Sequence, residues 1–250
     1  GVFSSYTGSV SGGTADVNYF VNARLQRENG PFGNAELGPA NDLNRKVQGS
    51  ASLIMLPIEN LKIRLNMQYV DAHHETPQNN NNIFGTISTM IFGKPENVRC
   101  NSDADIVGNG QCRIGGDPNA QIAPGNPYGS PAFNTVRETM QEETIQETKH
   151  FTGSINVGYQ PTSQINVEAT FGVDAVSQVS IDFDPFGNAV DGVRGFDPEG
   201  FKFVDNRVRR ELTAELKGTW NRGFGEHWQS TFVAGGQGFI TTLDDEGLGG

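Results

Sequence analysis

The chain has 250 residues and a formal net charge of −11, and it is poor in both hydrophobic residues, at 35 %, and charged residues, at 19 %. Glycine occurs 32 times, nearly twice the usual share of about 7 %. This composition argues against a helical bundle, which needs Ala, Leu, Glu and Lys, and it favours an all-β protein with many turns. The acidic balance disfavours nucleic acid as a partner, because binding to phosphates needs a basic face.

Alternation of apolar and polar residues predicts eight long strands. In the clearest of them, Leu61 to Tyr69, every odd-numbered residue is apolar and every even-numbered residue is polar. In chain order the predicted strands are Val2–Val10, Val17–Leu25, Val47–Leu56, Leu61–Tyr69, Phe151–Tyr159, Gln164–Ala175, Leu212–Trp220 and His227–Thr242. No apolar run approaches the length of about 18 residues that a transmembrane helix requires.

Short and long connections alternate between these strands. Tight turns are predicted at residues 11–16, 57–60, 160–163 and 221–226, and long connections at 29–43, 73–145 and 181–206. The strands, of about 10–16 residues, are long enough to cross a bilayer, which takes about 9–11 residues at a tilt near 45°. The pattern predicts antiparallel strands of a transmembrane β-barrel, with short periplasmic turns and long extracellular loops.

Each face of these strands has a predicted environment. The apolar face would meet lipid, and aromatic residues beside the short turns would form a girdle at the membrane interface: Tyr19, Tyr159, Trp220 and Trp228. The polar face would line a water-filled lumen through Asn66, Gln68, Asn166, Glu168, Thr213 and Glu215. Two other interpretations stay open: a small self-contained eight-stranded barrel, acting as an adhesin or anchor, and a soluble secreted β-domain that binds carbohydrate.

The segment from Ser11 to Val21, SGGTADVNYFV, resembles a barrel hairpin of TonB-dependent outer-membrane receptors, and most of all their SusC/RagA-like branch. The similarity continues through Arg27-Glu28-Asn29-Gly30 at a strand end, Asn44-Arg45 at the next strand start and Leu61-Lys62-Ile63 after a tight turn. It is sharp over residues 8–72 and only architectural over the rest of the chain.

The resemblance implies a 22-stranded barrel with an N-terminal plug in the outer membrane of a Gram-negative-type bacterium. It implies uptake of a bulky nutrient such as an oligosaccharide or peptide, energised by the TonB complex and often assisted by a SusD-like surface lipoprotein. The chain shows no plug and no TonB box, so we expect residues 1–250 to be an internal slice of one barrel domain, without enzymatic activity.

The longest connection, 73–145, is predicted to be an extracellular loop. Its two cysteines, Cys100 and Cys112, are candidates for a disulfide that constrains the loop, with two free thiols as the alternative. The apolar residues between Ile83 and Phe92 indicate local structure, either a short helix or packing on the rim.

No residue pattern predicts a catalytic site, a cofactor or a resident metal. Asp71, His73, His74 and Glu75 match no metal-binding spacing and are interpreted as a solvated loop root. Two acidic groups faintly resemble calcium loops but lack the full pattern with its terminal Glu: Asp103, Asp105 and Asn109, and Asp182, Asp184, Asn188 and Asp191.

Overall fold

The computed structural model of the chain describes residues 1–32, 42–77, 85–92, 106–107, 111–112, 140, 142–184, 200–225 and 227–250. These residues are almost entirely β-structure, with one helix of seven residues. In chain order the elements are β1 (Val2–Gly13), β2 (Val17–Asn29), β3 (Leu43–Ile58), β4 (Leu61–Thr76), α1 (Thr86–Phe92), β5 (Ile106–Val107), β6 (Gln111–Cys112), β7 (Glu143–Thr162), β8 (Ile165–Asp184), β9 (Phe201–Phe224) and β10 (Trp228–Gly249).

The eight long strands form one antiparallel sheet in the order β1-β2-β3-β4-β7-β8-β9-β10. Each long strand therefore pairs with the long strand that precedes it and the one that follows it in the chain, and β1 and β10 are the two edges of an open sheet. The short strands β5 and β6 pair separately from this sheet. The predicted all-β class and the eight consecutive antiparallel strands are confirmed.

The strands are longer than the alternation predicted. β7 and β8 each have 20 residues, β9 has 24 and β10 has 22. The connection predicted at 73–145 is shorter at both ends, because β4 continues to Thr76 and β7 begins at Glu143. The predicted bounds rested only on the alternation of apolar and polar residues. Backbone pairing continues beyond the point where this alternation stops, so the sequence did not predict the strand ends.

Two of the tight turns are closed by a threonine hydroxyl. Thr14 Oγ1 accepts hydrogen bonds from the backbone N–H groups of Asp16 and Val17, at 3.3 and 3.2 Å. Thr162 Oγ1 does the same for Gln164 and Ile165, again at 3.3 and 3.2 Å. A short hydroxyl side chain that bonds to the backbone two or three residues on is a typical turn former, and these turns set the register of their hairpins.

The sheet has almost no buried core in the described part of the chain. Met140 is the one fully buried large hydrophobic residue there, whereas Leu216, Phe232 and Ile240 are exposed to 58, 55 and 69 %. A soluble domain hides such side chains, because each contributes about 1.5–3 kcal/mol when it is removed from water. This sheet leaves them on one face. Within the same described residues, no helix has the length and hydropathy needed to span a bilayer.

Candidate functional site: the two faces of the sheet

One face of the sheet is apolar across all eight long strands. Residues in register lie side by side on the same face of a sheet, so the rows can be followed from strand to strand. One such row consists only of apolar residues and glycine: Val10, Val21, Ala51, Met67, Gly153, Val173, Leu212 and Ile240. The apolar positions therefore form a continuous band rather than separate patches.

The apolar band has a constant width on six of the strands. It covers nine residues from the short-turn end, and the next position on the same face is polar or charged. These stretches, each with the residue that ends it, are Val17–Leu25 with Arg27, Val47–Met55 with Arg45, Leu61–Tyr69 with Asp71, Phe151–Tyr159 with Lys149, Leu212–Trp220 with Arg210, and Phe232–Ile240 with Thr242. Nine residues is the length that a tilted strand needs to cross a bilayer.

Aromatic side chains cluster at the short-turn end of this face in β9 and β10. The rings of Trp220 and Phe232 are stacked with centroids 5.5 Å apart. The Arg222 guanidinium carbon lies 5.7 Å from the Trp220 ring centroid and 5.4 Å from that of Phe224, within the range of a cation–π contact. The cluster combines apolar rings with one cation, the combination that suits a boundary between hydrocarbon and water.

Replacement of Trp220 by leucine is expected to lower the free energy of unfolding by about 0.5–1.5 kcal/mol, because it removes a stacked ring pair. Unfolding by urea in phospholipid vesicles measures this loss. Trp228→Leu is the matched control, since Trp228 is 75 % exposed and stacks on no other ring of the described residues. An equal loss in both variants would show that the stack contributes nothing.

The opposite face is polar and carries a groove of about 370 Å³ over β2, β3, β4 and β7. Its polar lining is neutral and consists of Ser50, Ser52, Asn66, Gln68, Thr152 and Ser154, with the Phe20 ring among them. Ser52 Oγ donates to Asn66 Oδ1 at 2.9 Å. Such hydroxyl and amide groups both donate and accept hydrogen bonds, so the groove suits water or a neutral polar ligand.

Beside the groove, the polar face contains networks that join neighbouring strands. Glu168 accepts from Asn166 Nδ2 at 3.0 Å, and its Oε2 lies 2.8 Å from Lys217 Nζ. Farther from the short turns, His150 Nε2 lies 3.0 Å from Asp174 Oδ2. These contacts fix the register of β7, β8 and β9 while leaving the charged groups partly in water.

The far ends of β9 and β10 extend beyond the apolar band and are joined by an ion pair. Asp245 accepts from Arg207 Nη2 at 2.9 Å and from Arg207 Nε at 3.2 Å. This guanidinium lowers the pKa of Asp245. Both side chains are about half exposed, so the pair contributes little to stability.

The lowered pKa of Asp245 predicts a pH dependence of the same hairpin. A carboxyl group whose pKa is lowered in the folded state stabilises that state at every pH above its ordinary pKa of about 3.9. This contribution is lost as the pH falls through the pKa that the group has in the folded state. Amide exchange near residue 245 is therefore expected to be slower in the native protein than in Asp245→Asn at pH 6, and equal in the two below the folded pKa. A difference that persists unchanged at that lower pH would contradict this assignment.

Solved structures with a similar fold include a peptide importer and a ferric preacinetobactin receptor. The RagAB peptide importer in its "open-open" state is similar over 99 % of this chain with a TM-score of 0.66 and 12 % identity, and its "closed-closed" state over 97 % with a TM-score of 0.62 and 12 % identity. BauA, the ferric preacinetobactin receptor from Acinetobacter baumannii, is similar over 99 % with a TM-score of 0.52 and 13 % identity. No protein-family model and no curated protein sequence matches the chain.

The chain has the fold of one section of the barrel wall in these structures. It spans 25 % of the RagAB chains and 30 % of the BauA chain. The predicted resemblance is confirmed at the level of fold over 97–99 % of the chain, which includes the part outside residues 8–72 where only an architectural resemblance was predicted.

Within this fold, all four predicted girdle residues lie on the apolar face, as the register shows. Tyr19, Tyr159 and Trp220 are within the nine-residue stretches, and Trp228 pairs with Phe224 beside the last turn. The six predicted lumenal residues all lie on the polar face. Their contact with a membrane interface or with a ligand stays a prediction.

Several polar residues that the sequence assigned to loops belong to strands of the sheet. Asp71, His73, His74 and Glu75 lie within β4, where His73 Nε2 is 2.6 Å from Glu75 Oε1. Asp182 and Asp184 are in β8 rather than in a calcium-type loop. No group of three or more potential metal ligands occurs among the described residues. In the sequence, polar residues at a strand end look like a loop, because only backbone pairing distinguishes a polar strand end from a loop.

The remaining loop candidates are only partly described. Asp103, Asp105, Asn109, Asn188 and Asp191 lie outside the described residues, as does Cys100. Cys112 ends β6, where its backbone pairs with Ile106, and the predicted disulfide stays a prediction. The apolar segment from Ile83 to Phe92 contains α1, which is one of the two kinds of local structure that the sequence indicated.

Proposed function

We propose that this chain forms part of the wall of an outer-membrane importer that takes up a bulky nutrient such as an oligosaccharide or a peptide. The observation that carries the proposal is the constant apolar stretch of nine residues on one face of the sheet, backed by a polar face with a neutral hydrogen-bonding groove. Lipid would cover the first face, and the second would line the water-filled lumen. The similar solved structures, a peptide importer and a ferric preacinetobactin receptor, support an uptake role.

The polar face is suited to passage rather than to chemistry. The groove between Phe20 and Ser154 holds hydroxyl and amide groups but no charged side chain, so it offers a polar solute neutral hydrogen bonds. Farther along the same face, Glu168 and Lys217 are joined in an ion pair. A wall of this kind keeps the lumen wet and holds a polar solute weakly, as a transport route requires.

Energy and partners would come from outside this chain. The proposal includes coupling to the TonB complex through a plug domain, a SusD-like surface lipoprotein over the extracellular mouth, and the lipid of a Gram-negative outer membrane around the barrel. The chain spans about a quarter of the RagAB chains, so these partners belong to the complete receptor that we propose. No residue described here is assigned to coupling.

The reading frame on both sides of this segment tests the proposal first. We expect it to continue upstream into a leader, a TonB box and a plug-sized domain, and downstream into further strands. A leader directly before Gly1 and a stop codon directly after Gly250 would contradict the proposal and favour the self-contained barrel.

A transport experiment tests the activity itself. Deletion of the complete gene is expected to abolish uptake of one class of labelled oligosaccharide or peptide, and deletion of TonB is expected to abolish the same uptake. Recovery of the protein in the soluble periplasmic fraction, with uptake unchanged in the deletion strain, would contradict the proposed function.

A further inference from the structure

Two arginines face each other on the apolar side of the sheet, where like charges are unexpected. Arg27 of β2 and Arg45 of β3 are direct cross-strand partners, so their Cβ atoms lie about 4.5–5.5 Å apart, and like charges at that spacing destabilise a sheet. The next partner of Arg45 in the same row is His73 of β4. Two arginines and a histidine therefore stand side by side on three adjacent strands, and the His73 ring contacts Glu147 of β7 at 3.4 Å.

Elsewhere in the described sheet, charges in register are compensated. Glu168 faces Lys217 and Arg207 faces Asp245, with N–O distances of 2.8 and 2.9 Å. The one other like-charged pair in register, Asp174 with Glu211, has a partner for each carboxylate: the His150 ring at 3.0 Å and the Arg209 guanidinium at 2.9 Å. At the other like-charged pair, the sheet thus supplies a partner for each charge.

Arg27 and Arg45 lack such a counter-charge in the described part of the chain. Both are exposed, and neither guanidinium is within ion-pair distance of a described carboxylate. The Arg27 side chain donates only to the amide oxygen of Asn29, at 3.3 Å. The carboxylates diagonally across β4 have other neighbours, because Asp71 is in register with Lys149 and Glu75 lies 2.6 Å from His73.

The position of the arginine pair indicates what neutralises it. Arg27 and Arg45 are the first polar residues beyond the nine-residue apolar stretches of β2 and β3, at the end opposite the short turns. In the proposed membrane, this level is where lipid head groups meet the wall, and the apolar stretches below it are where acyl chains lie. Adjacent guanidiniums bind phosphate oxygens in bidentate geometry.

We propose that Arg27 and Arg45, flanked by His73, form a binding site for the phosphate head group of a membrane lipid whose acyl chains pack on the apolar stretches of β2 and β3. The head group supplies the counter-charge that the two guanidiniums lack, since Glu147, the carboxylate farther along the row, contacts His73 instead. The lipid covers the unpartnered apolar face. The site rests on the proposed function, because it requires the apolar face to be embedded in a membrane.

The test uses the protein expressed from the complete reading frame and purified in a neutral detergent. Native mass spectrometry measures the binding of diphosphoryl lipid A, of the same lipid after enzymatic removal of its phosphates, and of inorganic phosphate. The double variant R27Q/R45Q removes the pair. The matched control R24Q/K46Q removes two charges from the same strands on the opposite, polar face.

The native protein is expected to bind the phosphorylated lipid, and R27Q/R45Q to bind it about 10- to 30-fold more weakly, from two lost surface cations. R24Q/K46Q is expected to bind it like the native protein. Any of three results would overturn the site. The native protein could bind the dephosphorylated lipid as tightly as the phosphorylated one, the two double variants could lose the same affinity, or millimolar inorganic phosphate could compete with the lipid.

Separate fractionation of outer-membrane vesicles distinguishes the two proposals. One result would overturn the lipid site and leave the barrel intact: both the native protein and R27Q/R45Q reach the outer membrane, and the two bind the lipid equally. Native protein that is absent from the outer membrane would overturn the proposed function and the lipid site with it.

Discussion

Replacement of Leu65 by arginine is expected to lower the free energy of unfolding of the membrane-embedded protein by about 2–4 kcal/mol, the cost of a cationic side chain on the lipid face near the bilayer midplane. Leu65 is the central residue of the apolar stretch Leu61–Tyr69, and it lies in register with Leu53 and Ile155 on the apolar face. Unfolding by urea in phospholipid vesicles, with the complete protein, measures this loss.

The control for Leu65→Arg is an arginine substitution at Gln68 of the same strand. Gln68 lies on the polar face beside Ser50 and Thr152, and its side chain has no hydrogen-bond partner among the described residues. Gln68→Arg is therefore expected to change the free energy of unfolding by less than about 0.5 kcal/mol. Equal losses in the two variants would show that the two faces do not have different environments.

Replacement of Gly235 by valine is expected to destabilise the β9–β10 hairpin by about 1–3 kcal/mol, the usual cost of forcing extra carbon atoms into a packed position. A Cβ atom at Gly235 would lie 2.8 Å from the Leu216 carbonyl oxygen and 3.2 Å from the Lys217 Cα atom. Both are backbone atoms, so the strands must separate to make room. Amide hydrogen exchange along β9 and β10 would show the loss as faster exchange around Leu216.

The neighbouring glycine provides the matched control. A Cβ atom at Gly236 meets nothing within 4 Å, and Gly236 lies on the apolar face opposite Leu216. Gly236→Val is expected to be neutral or slightly stabilising, because valine suits a strand better than glycine. Faster exchange in Gly236→Val than in Gly235→Val would contradict the backbone contact as the cause.

The sequence alone was sufficient to predict the central part of each long strand. Strict alternation from Leu61 to Tyr69 requires different environments on the two faces of the strand, whatever the fold of the rest of the protein. The tight turns were equally predictable, from Gly12-Gly13 and from Pro161, whereas the closing hydroxyls of Thr14 and Thr162 are seen only in the structure. The assignment of Asn66 and Glu168 to the polar face followed directly from the same alternation.

The ends of the strands could not be predicted from the same signal. Beyond the apolar band, both faces meet polar surroundings, so alternation carries no information there, and β9 runs eleven residues before Leu212. The pair of Arg27 with Arg45 was also beyond the sequence, since it depends on the register of two strands separated by a loop. Register brings distant residues together, and local patterns do not specify it.

The most direct test of the proposed wall is a spin-label scan of residues 61–69 in the complete protein, reconstituted in phospholipid vesicles. Cysteine is introduced at one position at a time, and the accessibility of the attached label to oxygen and to a water-soluble nickel complex is measured. We expect odd-numbered positions to favour oxygen, with a maximum at Leu65, and even-numbered positions to favour the nickel complex. Accessibility that alternates along the strand without favouring oxygen at the odd-numbered positions would contradict a lipid-facing surface and with it the proposed membrane wall.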